Sequence, residues 1–183
     1  AGGREMIEIL YEDNHLLCVV KPANVPVQED SSHDEDMLTL CKQYLKESCN
    51  KPGNVYLGLV HRLDRPVEGV MVFAKTSKAA SRLSDAIRQK KFQKEYLAIV
   101  DGIPDQKGTL VDYLAKDHRT NMVRTTDEAH GKKSILHYEV IAVKQKMSLV
   151  HIQLETGRSH QIRVQFASRG WPLHNDHRYN PNV

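Results

Sequence analysis

The chain has 183 residues, 40% hydrophobic and 27% charged, a balance that suits one globular domain. No apolar run approaches the roughly 20 residues that a membrane helix needs, and "AGGREMIEIL" lacks the charged-then-apolar pattern of a secretory signal. The net charge of +3 is unevenly spread, with an acidic cluster at Glu29, Asp30, Asp34, Glu35 and Asp36 and two basic stretches further on.

In chain order, Met6 to Tyr11 and His15 to Lys21 read as short strands around a turn-like "EDN". "KPANVPVQEDSS" reads as an ordered loop. Asp34 to Lys46 carries Met37, Leu38, Cys41, Tyr44 and Leu45 at helical spacing, with Ser31, Ser32 and Asp34 as candidate caps. "NKPGN" breaks the chain. Val55 to Val60 and Gly69 to Ala74 read as strands, and Ser77 to Gln89 as an amphipathic helix. Phe92 to Val100 reads as a strand with Phe92, Lys94, Tyr96, Ala98 and Val100 on one face. Thr109 to Leu114 is a short strand, and "AKDHRTNMVRTTDEAHGKK" a long irregular excursion. Ser134 to Val143 and Met147 to Leu154 form a strand pair. Ser159 to Ser168 reads as a helix capped by Thr156 or Ser159 and ended by Gly170 and Pro172. The sum is a mixed α+β fold with a mainly antiparallel β-sheet core and flanking helices.

Cys18, Cys41 and Cys49 are odd in number and lack a C-x-x-C. They argue against a disulfide framework or zinc site and for a reducing cytoplasm, each as a small buried hydrophobe. Between Lys75 and Lys94 the basic residues Lys75, Lys78, Arg82, Arg88, Lys90, Lys91 and Lys94 face Asp85 alone. Between Gly157 and Tyr179, Arg158, Arg163, Arg169 and Arg178 face Asp176 alone. Such asymmetry suits a polyanion along one face, with a solvated helix face as the plainer reading of the first run.

"LVHRLDRPVEGVMVF" concentrates the chemistry. Asp64 sits among His61, Arg62, Arg65 and Glu68 on a short link between two strands. A turn aspartate explains one acid but not its neighbours. Burial raises a carboxylate's pKa and a nearby arginine lowers it, so an aspartate in a dry cleft can stay ionised as nucleophile or base. "HRLD" differs from a kinase loop by the inserted Leu63, and neither a Gly-rich loop nor D-F-G is present. An ordinary glycosidase needs two carboxylates, and Glu68 is the only local second. Tyr96 reads as a core tyrosine or as a cleft-edge ring that stacks on a base and handles a proton. Arg158 and Arg163 read as surface arginines, or as partners of phosphate or a buried carboxylate. His174 and His177 in "HNDH" match no metal-ligand spacing.

Taken in order, "HRLDRPVEGV", "FAKTSKAASRL", "KEYLAIVDG", "GKKSILHYEV" and "LETGRSHQIRVQFASRGWPL" resemble the RluA-type family of RNA pseudouridine synthases, from about residue 6 to 180. "KPANVPV" is similar to the family's early K-P loop. The resemblance implies a single catalytic domain over residues 6–183 that isomerises specific uridines in ribosomal or transfer RNA after flipping the base from its stack. It implies Asp64 as the essential catalytic aspartate, Tyr96 stacked on the flipped uracil and serving in C5 proton removal, and Arg163 paired with Asp64. Arg62 would enter the RNA where the base leaves, and His61, Leu63, Arg158, His160 and Ile162 would join it in substrate binding. No cofactor, metal or membrane partner is expected, and a monomer is. The alternatives are a non-catalytic RNA-binding protein on the same scaffold and, more weakly, a nucleoside or glycoside hydrolase.

Val67-Glu68 stands where the family has Thr-Ser, and "KKSIL" at Lys132 to Leu136 departs from K-x-A-x-T. The family normally continues past the "NDHRYNPNV" ending, which leaves a truncated fragment or an unseen tail as the two readings. No S4-like domain is expected before Met6, and the catalytic domain is expected to find its RNA alone.

Overall fold

A strand buried on both faces loses its alternation, and Leu16–Lys21 is nearly buried throughout. It is central to one of two sheets in the computed structural model, which describes residues 7–50, 53–87 and 95–182. The chain falls into two units, Ala1–Arg88 and Gln89–Val183, each with its own antiparallel sheet and hydrophobic core.

In the first unit β1 (Ile9–Glu12), β2 (Leu16–Lys21), β3 (Gly58–Leu59) and β4 (Gly69–Ala74) lie in the order β1-β2-β4-β3. β2 pairs with β4 from Leu16↔Ala74 to Lys21↔Gly69. Helix α1 (Met37–Ser48) buries Met37, Cys41 and Leu45 in the core that holds Leu17, Val19, Met71 and Phe73. Its cap is Asp36, whose carboxylate accepts the Thr39 N–H at 3.0 Å, and not Ser31, Ser32 or Asp34. Asp36 has the extended backbone of a cap (φ −116°, ψ 156°) immediately before the first turn. Helix α2 (Ser77–Ile87) starts on Thr76, whose Oγ1 accepts the Ala79 N–H.

In the second unit β5 (Glu95–Asp101), β6 (Lys107–Lys116), β7 (Val123–Thr126), β8 (Lys132–Lys144) and β9 (Met147–Leu154) lie in the order β5-β9-β8-β6-β7. Helix α3 (Gln161–Ala167) drops Phe166 among Ala98, Val100, Leu136, Tyr138, Val150 and Ile152. Tyr138 and Phe166 meet edge-on with centroids 5.4 Å apart. Position 108 must be glycine, because a Cβ there would stand 2.6 Å from the Tyr138 ring.

The α+β class with mainly antiparallel sheet is the one expected, and the differences are local. The excursion after Leu114 is a hairpin: β6 runs to Lys116 and β7 pairs with it from Tyr113↔Thr126 to Lys116↔Val123. The strand expected over Val55 to Val60 shrinks to Gly58–Leu59. Neither Thr156 nor Ser159 caps α3: His160 does, with a left-handed backbone (φ 52°) and no side-chain cap bond. Cys18 and Cys41 are buried as expected, but Cys49 is exposed. Met6, Arg88, Lys90, Lys91, Phe92 and Lys94, and the end of the helix expected to reach Gln89, lie outside the described residues.

Candidate active site

The link from β3 to β4 carries Asp64 on a turn tied down at several points. Where β3 stops, the His61 ring takes over from the strand: its Nε2 accepts the Val72 N–H of β4 at 3.0 Å. A backbone amide can only donate, so Nε2 carries the lone pair and the ring proton sits on Nδ1. Leu63 packs, half-buried, against the first core. The Asp64 carbonyl accepts the Val67 N–H at 2.9 Å and closes a turn over Arg65 and Pro66. The Asp64 side chain is exposed at the head of this turn, and Arg62, Val67 and Glu68 are exposed around it.

The next carbonyl along is held from the K-P loop. Lys21 is fully buried, and its Nζ donates to the carbonyls of Pro22, Val25 and Arg65 at 2.9, 2.8 and 2.8 Å. Each ammonium proton has an acceptor, which makes a buried lysine tolerable. Burial and then the Arg65 charge pull its pKa below the usual lysine value, against Glu68. The Asn24 N–H donates to the same Arg65 carbonyl at 2.8 Å.

The Arg65 side chain turns to the acidic loop. It donates to Asp30 Oδ2 at 3.2 Å, to Ser32 Oγ at 3.1 Å and to Asp34. Three of the five acids in the cluster thus have assigned roles, Asp30 and Asp34 on Arg65 and Asp36 on α1. Arg65 is accordingly not the counter-ion that its position beside Asp64 suggests.

In the second unit Tyr96 sits on β5, at the edge of its sheet, and is 48% exposed, although Ala98 and Val100 beyond it are buried. It is therefore not a core tyrosine. The "TGRSHQ" stretch is organised by Gln161, which sequence reading passed over. Its Oε1 accepts from Thr156 Oγ1 and from the Arg158 N–H, both at 2.9 Å, and its Nε2 donates to the Ile135 carbonyl at 3.2 Å. Arg158 donates from Nε and Nη2 to the Lys133 carbonyl at 3.1 and 2.9 Å. Ile162 is half-buried against the second core.

His160 meets the Tyr179 hydroxyl through Nδ1 at 2.8 Å, and that hydroxyl also accepts the Val123 N–H at 2.9 Å. Burial, then the charges of Arg163, Arg178 and Lys116, hold the His160 pKa below the ordinary histidine value, with Asp176 opposing. Arg163 forks onto Asp176, from Nε to Oδ2 at 2.9 Å and from Nη2 to Oδ1 at 2.8 Å. Asp176, read from sequence only as the lone acid of a basic stretch, is Arg163's partner within its own unit. Burial pushes the Asp176 carboxyl up, but hydrogen bonds from Arg163 and from the N–H groups of Arg178 and Tyr179 outweigh it and bring it below the usual range. Arg169 pairs with Asp112, so two of the four arginines in this stretch are matched internally. His174 Nδ1 lies 2.6 Å from Asp101 Oδ1, and among the described residues no group of His, Cys, Asp and Glu is arranged to hold a metal ion.

Residues 15–168 match the family described as RNA pseudouridylate synthase. An uncharacterised RNA pseudouridine synthase of Bacillus subtilis (strain 168) is 34% identical over 180 residues, covering 94% of this chain and 57% of that protein. The ribosomal large subunit pseudouridine synthase D of Zymomonas mobilis is 34% identical over 174 residues, covering 93% of this chain and 55% of that protein. The chain spans about half the length of these curated relatives. Among solved structures, human RNA pseudouridylate synthase domain containing 1 aligns over 98% of this chain and 72% of its own, at 22% identity and a TM-score of 0.47.

Proposed function

This chain belongs to the RNA pseudouridylate synthase family, and we propose that it converts uridine to pseudouridine in RNA, with Asp64 as the group that carries the chemistry. The reaction breaks N1–C1′, turns the uracil and forms C5–C1′; C5 loses a proton and N1 gains one, so nothing is consumed. The observation that carries the reading is the Asp64 turn itself. An exposed carboxylate heads a loop fixed by His61 and Lys21, while the next residue in sequence, Arg65, is matched by Asp30 and Asp34.

Tyr96 supplies an exposed aromatic ring for the flipped base and a hydroxyl for the C5 proton. Arg163 serves the reaction as a fixed positive charge, and the exposed Arg62 contacts the RNA where the base has left. The Zymomonas relative is named for the ribosomal large subunit, which directs the first search to large-subunit ribosomal RNA.

The test is chemical mapping of pseudouridine in ribosomal and transfer RNA after incubation with the wild type and with Asp64→Asn. The wild type modifies a defined uridine, and Asp64→Asn still binds that RNA without modifying it. If the wild type modifies no uridine in any cellular RNA, the reading fails. Release of free uracil would point to hydrolysis instead.

A further inference from the structure

Arg163 is gripped more completely than a charge partner requires. Asp176 takes its Nε and Nη2 in a two-point fork, and the Tyr179 ring lies under the guanidinium, 5.0 Å from Cζ to centroid. Asp176 is itself immobilised, with 2% of its side chain exposed and its Oδ1 accepting the N–H groups of Arg178 at 3.0 Å and Tyr179 at 3.2 Å. Tyr179 is held through its hydroxyl by Val123 and His160. A fork fixes the plane of a guanidinium as well as its place. It uses Nε and Nη2 and leaves Nη1 outside. Burying an ion pair seldom stabilises a fold more than apolar packing would, so its geometry, more than its energy, is what it contributes.

We propose that Asp176 is a positioning residue for the reaction: by forking Arg163 through Nε and Nη2 it sets the guanidinium plane and reserves Nη1 for the acceptor that the reaction supplies. The inference rests on the reading above, in which Arg163 serves the reaction as a fixed positive charge. Lysine at 163 keeps the charge but cannot be oriented by a fork, so Asp176 should lose its importance once Arg163 is lysine.

The experiment measures kcat and KM for pseudouridine formation on an RNA that the wild type modifies, with Asp176→Asn, Arg163→Lys and the double variant, each verified as folded at the assay temperature by thermal melting. Asp176→Asn lowers kcat ~30-fold with KM within ~3-fold of wild type, and on the Arg163→Lys background it costs less than ~3-fold more. If Asp176→Asn does not fold, Asp176→Glu keeps the charge but displaces the fork by one methylene. It lowers kcat ~10-fold, and again does so only when Arg163 is present. A folded Asp176 variant with wild-type kcat overturns the proposal, as does a loss that multiplies in full on the Arg163→Lys background. A wild type that makes no pseudouridine sinks the proposed function itself, whereas an active wild type with an indifferent Asp176 sinks only the positioning role.

Discussion

The Lys21 ammonium donates to the Arg65 carbonyl at 2.8 Å across 44 positions of sequence, which ties the K-P loop to the turn that begins at Asp64. Lys21→Met keeps the length and apolar stem but takes this donor from the carbonyls of Pro22 and Val25 and leaves the Arg65 carbonyl with the Asn24 N–H alone. Each unmatched buried acceptor costs about 1–3 kcal/mol, partly relieved by relaxation. The variant should therefore lose about 2–4 kcal/mol in urea unfolding, and pseudouridine formation should fall with it because the Asp64 turn loosens. An unchanged urea midpoint would show that the three bonds do not hold the loop.

Arg65 allows the opposite separation of stability from activity. Its ion pairs with Asp30 and Asp34 are well exposed, and such pairs contribute little to stability. The double variant Asp30→Asn, Asp34→Asn should leave the urea midpoint close to that of the wild type. It should nevertheless lower kcat several-fold, because Arg65 is released to compete for the neighbouring carboxylate of Asp64. Equal kcat in the double variant and the wild type would dismiss the clamp as functionally idle.

Local signals survive in a sequence and long-range ones do not, and this chain divides along that line. The buried stripe Met37, Cys41 and Leu45 was readable because helical spacing is local, and so were β8 and β9. The β6–β7 hairpin was hidden because β7 buries only Val123 and otherwise exposes polar side chains. The Asp36 cap was hidden among several acids of equal capping chemistry. Asp64 and its neighbours stood out as one continuous motif. Their supports did not: Lys21 is satisfied by backbone carbonyls, which have no side-chain signature, and Asp176 lies 13 residues beyond Arg163 in a stretch without period.

Gln161 is the side chain that organises the loop before α3. Its amide bonds Thr156, the Arg158 N–H and the Ile135 carbonyl while 2% exposed. Gln161→Ala should cost about 1–3 kcal/mol by leaving these groups unmatched. Gln161→Glu keeps both accepting contacts and loses the donation to Ile135, so it should be the milder change when the two are compared by thermal melting. A ranking with alanine less damaging than glutamate would show that size, not hydrogen bonding, is what the position requires.

Two histidines should make the fold sensitive to mild acid. Burial holds the His151 pKa below its ordinary 6.5, with Glu95 and Glu139 opposing. The His160 pKa is lowered from 6.5 by burial and then by Arg163, Arg178 and Lys116, with Asp176 opposing. A histidine whose folded pKa is depressed takes up its proton more readily when unfolded. Its contribution is therefore complete above about 6.5 and declines as pH falls toward the lower folded values. The Asp176 carboxyl, also lowered, acts in a separate window: its contribution is present above the ordinary 3.8 and is lost as pH falls through its folded value. Urea unfolding from pH 8 to 5 should thus show stability falling below about 6.5. The double variant His151→Gln, His160→Asn should flatten that slope, asparagine being at ease in the left-handed backbone of position 160. The two imidazoles should titrate below 6.5 when followed by NMR of their ring protons. A wild type and double variant with the same slope between pH 6.5 and 5 would assign the acid sensitivity elsewhere.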